Sequence, residues 1–437
     1  MIYRANVFDT PSSPFEGGEL RCGHDLGVAV DADGRITERG SFREVRDRNP
    51  DQPVTDLRDG LLMPGFIDTH VHFPQARIIG ALGMPLLDWL DRAALPEEAR
   101  MADTAYAQGV AADFISCLTD AGTTTALVFG AHFAPAVDAL FAAAASAGVR
   151  VTSGLVVSDR LLRPELHITP ALAYQQGLEL ARRWHGVGRN RYAVTPRFAL
   201  SCSDQLLSSC ADLQAAIPGS WFTSHVNENH AEIDTVRELF GCDYTGVYAN
   251  HGLLGCRSVL AHNVHPLESE LELLGVTGTA VAHCPTSNAA LGSGLFALAR
   301  HLAHGVPVAL GCDVGGGTGY SLLKEGLQAY FAQQLLGRDG VALNSAHLLY
   351  LATAAGAAAL GFENELGDLS PGKSFDAVWL RPREGSALAL CMQQADDDLT
   401  ALAQVFCMGT SDDLAGVWIE GEMVKGRAVD FRDPEIS

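Results

Sequence analysis

Met63-Pro-Gly-Phe-Ile-Asp-Thr-His-Val-His72 is the stretch on which the architecture turns. Pro64-Gly65 punctuates the chain, and the apolar pair Phe66-Ile67 follows, so a buried strand begins there. Residues two apart on a strand face the same side, which puts His70 and His72 together near its end. An isolated H-x-H also reads as two satisfied core histidines. The pair gains meaning only if other strands end in the same way.

Downstream, short apolar runs alternate with Ala/Leu-rich segments of helical period. The runs are 124–129, 150–156, 192–195, 221–224, 258–261, 279–282 and 306–310, and segments 136–147 and 171–184 have helical period. Strand then helix, repeated, predicts a parallel α/β sheet. The runs are continuous rather than alternating, as in strands covered on both faces. Dividing 437 residues by about 150 suggests three domains, but barrels break that rule, and a (β/α)8 TIM-like barrel fits the length. The ends differ. Segments 2–8, 26–30 and 375–380 and 415–419 read as strands, with turns at Asp31-Ala-Asp-Gly34 and Glu420-Gly421, and no long helical period shows at either end. The expected organisation is therefore a small β-sandwich domain from 1–64 plus 366–437, with the barrel spanning 65–365.

Three more polar residues close apolar runs. His225 follows Trp221-Phe-Thr-Ser224, His262 follows Ser258-Val-Leu-Ala261, and Asp313 follows Gly311-Cys312. The C-terminal ends of barrel strands are where active sites are built. Four imidazoles and a carboxylate suit a borderline divalent ion such as zinc, or less readily ferrous iron, with a position left for water. Lysine decides the number of ions. It occurs only at positions 324, 373 and 425. Related binuclear barrels bridge their ions with a carbamylated lysine on a middle strand, and none lies between His72 and His262. One ion per chain is expected.

Glu228 stands three residues after His225, in His-Val-Asn-Glu228. Beside an activated water a glutamate can relay protons. At a helix start it would merely complement the dipole. His230-Ala-Glu232 matches the first half of the cytidine-deaminase zinc motif, but no C-x-x-C follows, which excludes that fold. Gly315, Gly316, Gly317 and Gly319 follow Asp313 too closely for a phosphate loop, and close backbone approach is the better reading.

The formal net charge of −22 repels polyanions, so nucleic acid and anionic membranes are poor partners and a small neutral substrate is compatible. No run of about 18 apolar residues predicts a transmembrane helix, and residues 1–21 lack a signal-peptide core. The ten cysteines include no C-x-x-C pair and read as buried, reduced thiols of a cytoplasmic protein.

Taken together, several segments resemble the amidohydrolase superfamily, and within it the guanine deaminases. They are Pro64-Gly-Phe-Ile-Asp-Thr-His-Val-His-Phe-Pro-Gln75, Thr195-Pro-Arg-Phe-Ala-Leu-Ser-Cys202, Ser224-His-Val-Asn-Glu-Asn229, Ala282-His-Cys-Pro-Thr-Ser-Asn288 and Gly311-Cys-Asp-Val-Gly-Gly-Gly-Thr-Gly-Tyr320. The resemblance runs over nearly the whole chain. Pro-Gln after H-x-H and Thr-Pro-Arg-Phe are its most specific parts. It implies one zinc, a homodimer, and hydrolysis of guanine to xanthine and ammonia. The implied metal ligands are His70, His72, His225, His262 and Asp313. The implied catalytic groups are Glu228 and Asp313, and the substrate contacts are Gln75, Arg197, Phe198 and His225. Leu86-Leu-Asp-Trp89 is similar to the segment that covers the family's site. Arg197, a fixed donor, suits the carbonyl O6, while Gln75 can offer both a donor and an acceptor. An aminohydrolase acting on a pterin, cytosine or an s-triazine, and a catalytically inactive scaffold, remain the alternatives.

Overall fold

The computed structural model describes residues 1–426; residues 427–437 of the expected terminal domain lie outside the described residues. The chain starts with four strands, β1 (Ile2–Asp9), β2 (Arg21–Val30), β3 (Ile36–Ser41) and β4 (Val54–Pro64). Gly65 alone separates β4 from β5 (Phe66–His72). Then come β6 (Thr123–Phe129), β7 (Arg150–Ser153), β8 (Val156–Val157), β9 (Arg191–Pro196), β10 (Trp221–Val226), β11 (Ser258–His262), β12 (Ala280–His283) and β13 (Val308–Leu310). All pairings among them are parallel, in the order β5-β6-β7-β9-β10-β11-β12-β13, with β8 paired beside β9. Helices between the strands cover the outside, among them Thr104–Asp120, Ala134–Ala147 and Pro170–Trp184. The run 150–156 is split because Gly154 packs on the Ala193 carbonyl, so β7 stops before β8.

The barrel is nearly closed, and the residues after β13 complete it. Asp313 N–H donates to the His70 carbonyl at 2.9 Å, and His72 N–H donates to the Val314 carbonyl at 3.1 Å. Beneath them, Asp68 Oδ1 accepts from the backbone N–H groups of His70 and Cys312. The hydrogen bonds that join first strand to last thus also fix three of the candidate ligands.

The final strands β14 (Ala377–Leu380), β15 (Leu414–Ile419) and β16 (Glu422–Gly426) return to β4. Together with the opening strands they form one seven-stranded path, β16-β15-β14-β4-β1-β2-β3. That path curls over. Tyr3 of β1 stacks on Phe375 at 4.4 Å and meets Trp418 of β15 at 5.6 Å, although β14 and β4 lie between their strands. A separate apolar core containing Trp379 and Trp418 results.

Three expectations need correction. The ends are not purely strands and turns: helices occupy Phe42–Arg48, Ala387–Met392 and Asp398–Met408. The last buries Leu402, Val405 and Phe406, with the Phe406 ring lying over Gly326 of barrel helix Leu322–Leu335. Tertiary packing, rather than a long sequence period, holds such short helices. Nor are the cysteines uniformly buried. All ten are free, but only Cys202, Cys210, Cys284 and Cys312 are buried, and Cys22, Cys256 and Cys407 are exposed. Finally, Glu228 is not in a first helical turn: helix His230–Phe240 is capped by Asn229, and Glu228 precedes it. No helix among the described residues is long and apolar enough to cross a membrane.

Candidate metal centre and substrate pocket

The strand-end residues meet at one point. His70 Nε2 and His72 Nε2 are 3.1 Å apart, and His225 Nε2 is 3.2 Å from His72 Nε2. Asp313 Oδ1 lies 3.3 Å from both His70 and His72 Nε2, and Asp313 Oδ2 lies 3.8 Å from His262 Nε2. Ligand bonds of about 2.1 Å from one centre leave neighbouring donors about 3.0–3.4 Å apart. The spacing of His70, His72, His225 and Asp313 therefore fits one ion, with His262 slightly farther off. None of the three lysines reaches it: Lys373 and Lys425 pair with Asp368 and Asp120, and Lys324 is exposed with its Nζ near Thr318 O.

Other groups orient these rings. His225 Nδ1 donates to the Arg197 carbonyl at 2.5 Å, and His262 Nδ1 donates to Asn288 Oδ1 at 3.0 Å, which leaves both Nε2 atoms for an ion. Burial keeps His72 and His225 neutral, the form that ligates: it pushes His72 down to about 4 against the hydrogen bond to Asp313, and with the neighbouring imidazoles holds His225 well below its usual range. Burial alone would raise Asp313, but hydrogen bonds from His70 and His72 outweigh it and hold the carboxyl well below its usual range. The backbone is strained here. Asn227, His262, Asn263 and Asp313 all have left-handed φ, between 47° and 73°, and they are four of the seven non-glycine residues that do so among the described residues. Such strain concentrates at functional sites.

A small cavity opens beside the cluster, lined by Gln75, Leu86, Trp89, Leu90, Arg197, Phe198, Glu228 and Leu291 together with His72, His225, His262 and Asp313. Its free space of about 30 Å³ holds little more than a water molecule. Leu86 and Trp89 of the turn Leu86–Trp89 and Leu90 of the next turn form part of its wall, so a planar base needs lining side chains to shift. A larger concavity of about 740 Å³ lies on the terminal sheet around Arg58, Trp379 and Arg381. Among the described residues no group of potential metal ligands converges there, whereas the smaller cavity adjoins one.

Glu228 is buried at the cavity wall. Its Oε2 lies 3.5 Å from His262 Nε2, and its Oε1 accepts from Ser293 Oγ at 3.0 Å. Burial, and after it the charge of Asp313, push its carboxyl up to about 8, and a bound cation would pull it back down. Gln75 departs from expectation. Its Oε1 already accepts from Gly315 N–H at 3.0 Å, and its Nε2 donates to Glu98 Oε1 at 2.8 Å and lies 3.4 Å from His72 Nδ1, so both ends of the amide are engaged by the protein. Arg197 Nη1 donates to both oxygens of Glu98 at 2.7 Å. It is neither a surface residue nor without a counterion. Phe198 is buried, its ring 6.2 Å from that of His225. The glycine segment makes a close approach: a Cβ on Gly315 would lie 2.7 Å from the Gln75 carbonyl, and one on Gly316 would lie 2.9 Å from Ser287 Oγ.

Three site residues escape sequence reasoning. Glu98 sits in Leu-Pro-Glu-Glu-Ala99, which reads as an acidic first turn facing solvent. Ser293 sits between glycines. Asn288 falls within a family-like segment, yet spacing gives no hint that it holds His262.

The fold and the site define the class. The amidohydrolase family model matches residues 61–424, and the chain belongs to the amidohydrolase family. Its relatives narrow this further. A protein of Deinococcus radiodurans named a probable guanine deaminase is 58% identical over 98% of this chain and 99% of its own length. The structure of Escherichia coli guanine deaminase superimposes with a TM-score of 0.94 at 35% identity, covering 98% of this chain and 99% of that one. That of guanine deaminase from C. acetobutylicum with bound guanine in the active site gives 0.89 at 27% identity, over 97% and 99%.

Proposed function

We propose that this chain is a guanine deaminase, a hydrolase that converts guanine and water to xanthine and ammonia at a single zinc ion held by His70, His72, His225, His262 and Asp313. The observation that carries this reading is that one cavity joins the ligand cluster, Glu228 and the donor Arg197. The names borne by relatives as similar as 58% support it.

A divalent cation in such a cluster lowers the pKa of water toward neutrality. The chain's own groups do the rest. Asp313 takes a proton from the water that attacks C2. Glu228 moves protons to ring N3 and then to the departing amine, whose C–N bond breaks as ammonia leaves. Arg197 donates to O6, Gln75 stands beside it at the purine edge, Phe198 packs on the ring, and His225 borders the base. Adenine has no amine at C2 to release and no carbonyl at C6 to accept.

Incubation with guanine should convert it to xanthine, read by ultraviolet absorbance, with release of ammonia in equal amount. No conversion would overturn the reading. Elemental analysis should find one tightly held ion, zinc, per active chain. Two ions per chain would contradict the absence of a bridging lysine. We also propose a homodimer, on the family resemblance, and a cytoplasmic enzyme, on the ten unpaired cysteines. Light scattering at micromolar concentration should give twice the chain mass of 46.4 kDa, and a monomer would refute the dimer.

A further inference from the structure

The pocket contains one carboxylate that the reaction above does not use. Glu98 lies in the turn Leu95–Ala99, directly after the segment that covers the site, and its side chain is 3% exposed. Both oxygens accept from Arg197 Nη1, and Oε1 also accepts from Gln75 Nε2. His132 Nδ1 lies 3.4 Å from Oε2. Burial by itself would raise this carboxyl, but the Arg197 charge and His132 outweigh it and keep Glu98 ionised.

Two consequences follow for the substrate edge. A guanidinium carries five N–H donors in a rigid fork, so pinning Nη1 fixes where the remaining donors point. Gln75 is likewise constrained. A carboxylate only accepts and a backbone N–H only donates, so Glu98 on one side and Gly315 N–H on the other hold the amide in one orientation. Gln75 Nε2 also lies 3.4 Å from His72 Nδ1, so both of its N–H groups face protein partners and the donors left for a ligand are those of Arg197. We propose that Glu98 is a positioning residue for substrate selection, holding Arg197 directly and the Gln75 amide beside it, so that the remaining guanidinium donors meet a purine carbonyl and reject a purine lacking one. The proposal rests on the guanine reading above and deepens it.

The test compares guanine with 2-aminopurine, which keeps the C2 amine but lacks O6, for wild type, Glu98→Gln and Glu98→Asp, with metal content measured throughout. Glu98→Gln should lower kcat/KM for guanine by about 10–100-fold, as loss of an orienting partner does elsewhere, mainly through KM. Activity on 2-aminopurine should fall only by what an unpaired Arg197 costs the pocket, clearly less than the loss on guanine, and metal should stay bound. Glu98→Asp keeps the charge and is the safer folder. It is one methylene too short to hold both partners, so it too should lose preference. In an Arg197→Met background, where no buried cation is left unpaired, Glu98→Gln should cost less than about twofold more. Equal losses on both substrates, an unchanged preference, or full additivity in the double variant would overturn the role of Glu98 alone. A wild-type enzyme that ignores guanine would overturn the proposed function and this inference with it.

Discussion

Replacing Glu228 with glutamine is expected to lower kcat on guanine by about 10²–10⁴-fold, the usual worth of a general acid–base group, while one metal ion stays bound. The substitution changes little else. Glutamine has nearly the same shape, its amide oxygen can still accept from Ser293 Oγ, and the wall of the cavity stays filled. What disappears is the capacity to take a proton and return it. Glu228 Oε2 is 3.5 Å from His262 Nε2, nearer than Asp313 Oδ2 at 3.8 Å, so the role of Glu228 is read from what happens to the ion. Metal content therefore separates the two roles: loss of the ion would make Glu228 a ligand. Turnover within about twofold of wild type, far outside the range above, would reduce it to a residue leading into helix His230–Phe240.

The clustering of the candidate ligands was legible because each obeys a rule of position. His70 and His72 share a strand face, and His225, His262 and Asp313 end or follow strands whose apolar runs are continuous. The barrel was legible from the same runs, since strands buried on both faces carry little else. Glu98 obeys no such rule. It sits 99 residues before Arg197, in a helical turn between β5 and β6, and only the closed barrel brings the two together. Ser293 reaches Glu228 across 65 residues from an irregular loop for the same reason. The C-terminal helices were missed differently. Ser386 and Asp397 do cap them, accepting from Ala389 and Thr400 N–H, so a local signal existed. With 6 and 11 residues, these helices are too short for period to stand out, and their stability comes from packing on the barrel.

Arg197→Ala should reduce kcat/KM for guanine by the equivalent of about 2–5 kcal/mol, roughly 30- to 4000-fold, the usual cost of truncating one partner of a buried charged contact. Metal content should not follow, because Arg197 orients His225 through its backbone carbonyl, which the substitution leaves in place. The loss has two sources that must be separated. One is the missing donor to O6. The other is Glu98, a carboxylate left buried without its cation, which is strongly destabilising by itself. The purine lacking O6 tells them apart. A destabilised pocket penalises guanine and 2-aminopurine alike, whereas a missing donor penalises only guanine. Wild type should thus prefer guanine strongly, and Arg197→Ala should narrow that preference. Arg197→Lys sharpens the comparison. Lysine supplies the charge Glu98 needs but only as a point on a flexible stem, without a fork to serve carboxylate and carbonyl together. It should recover stability and little of the preference. If Arg197→Ala lowers activity on both substrates equally, Arg197 supports the pocket without reading O6, and selection must come from elsewhere on the purine edge.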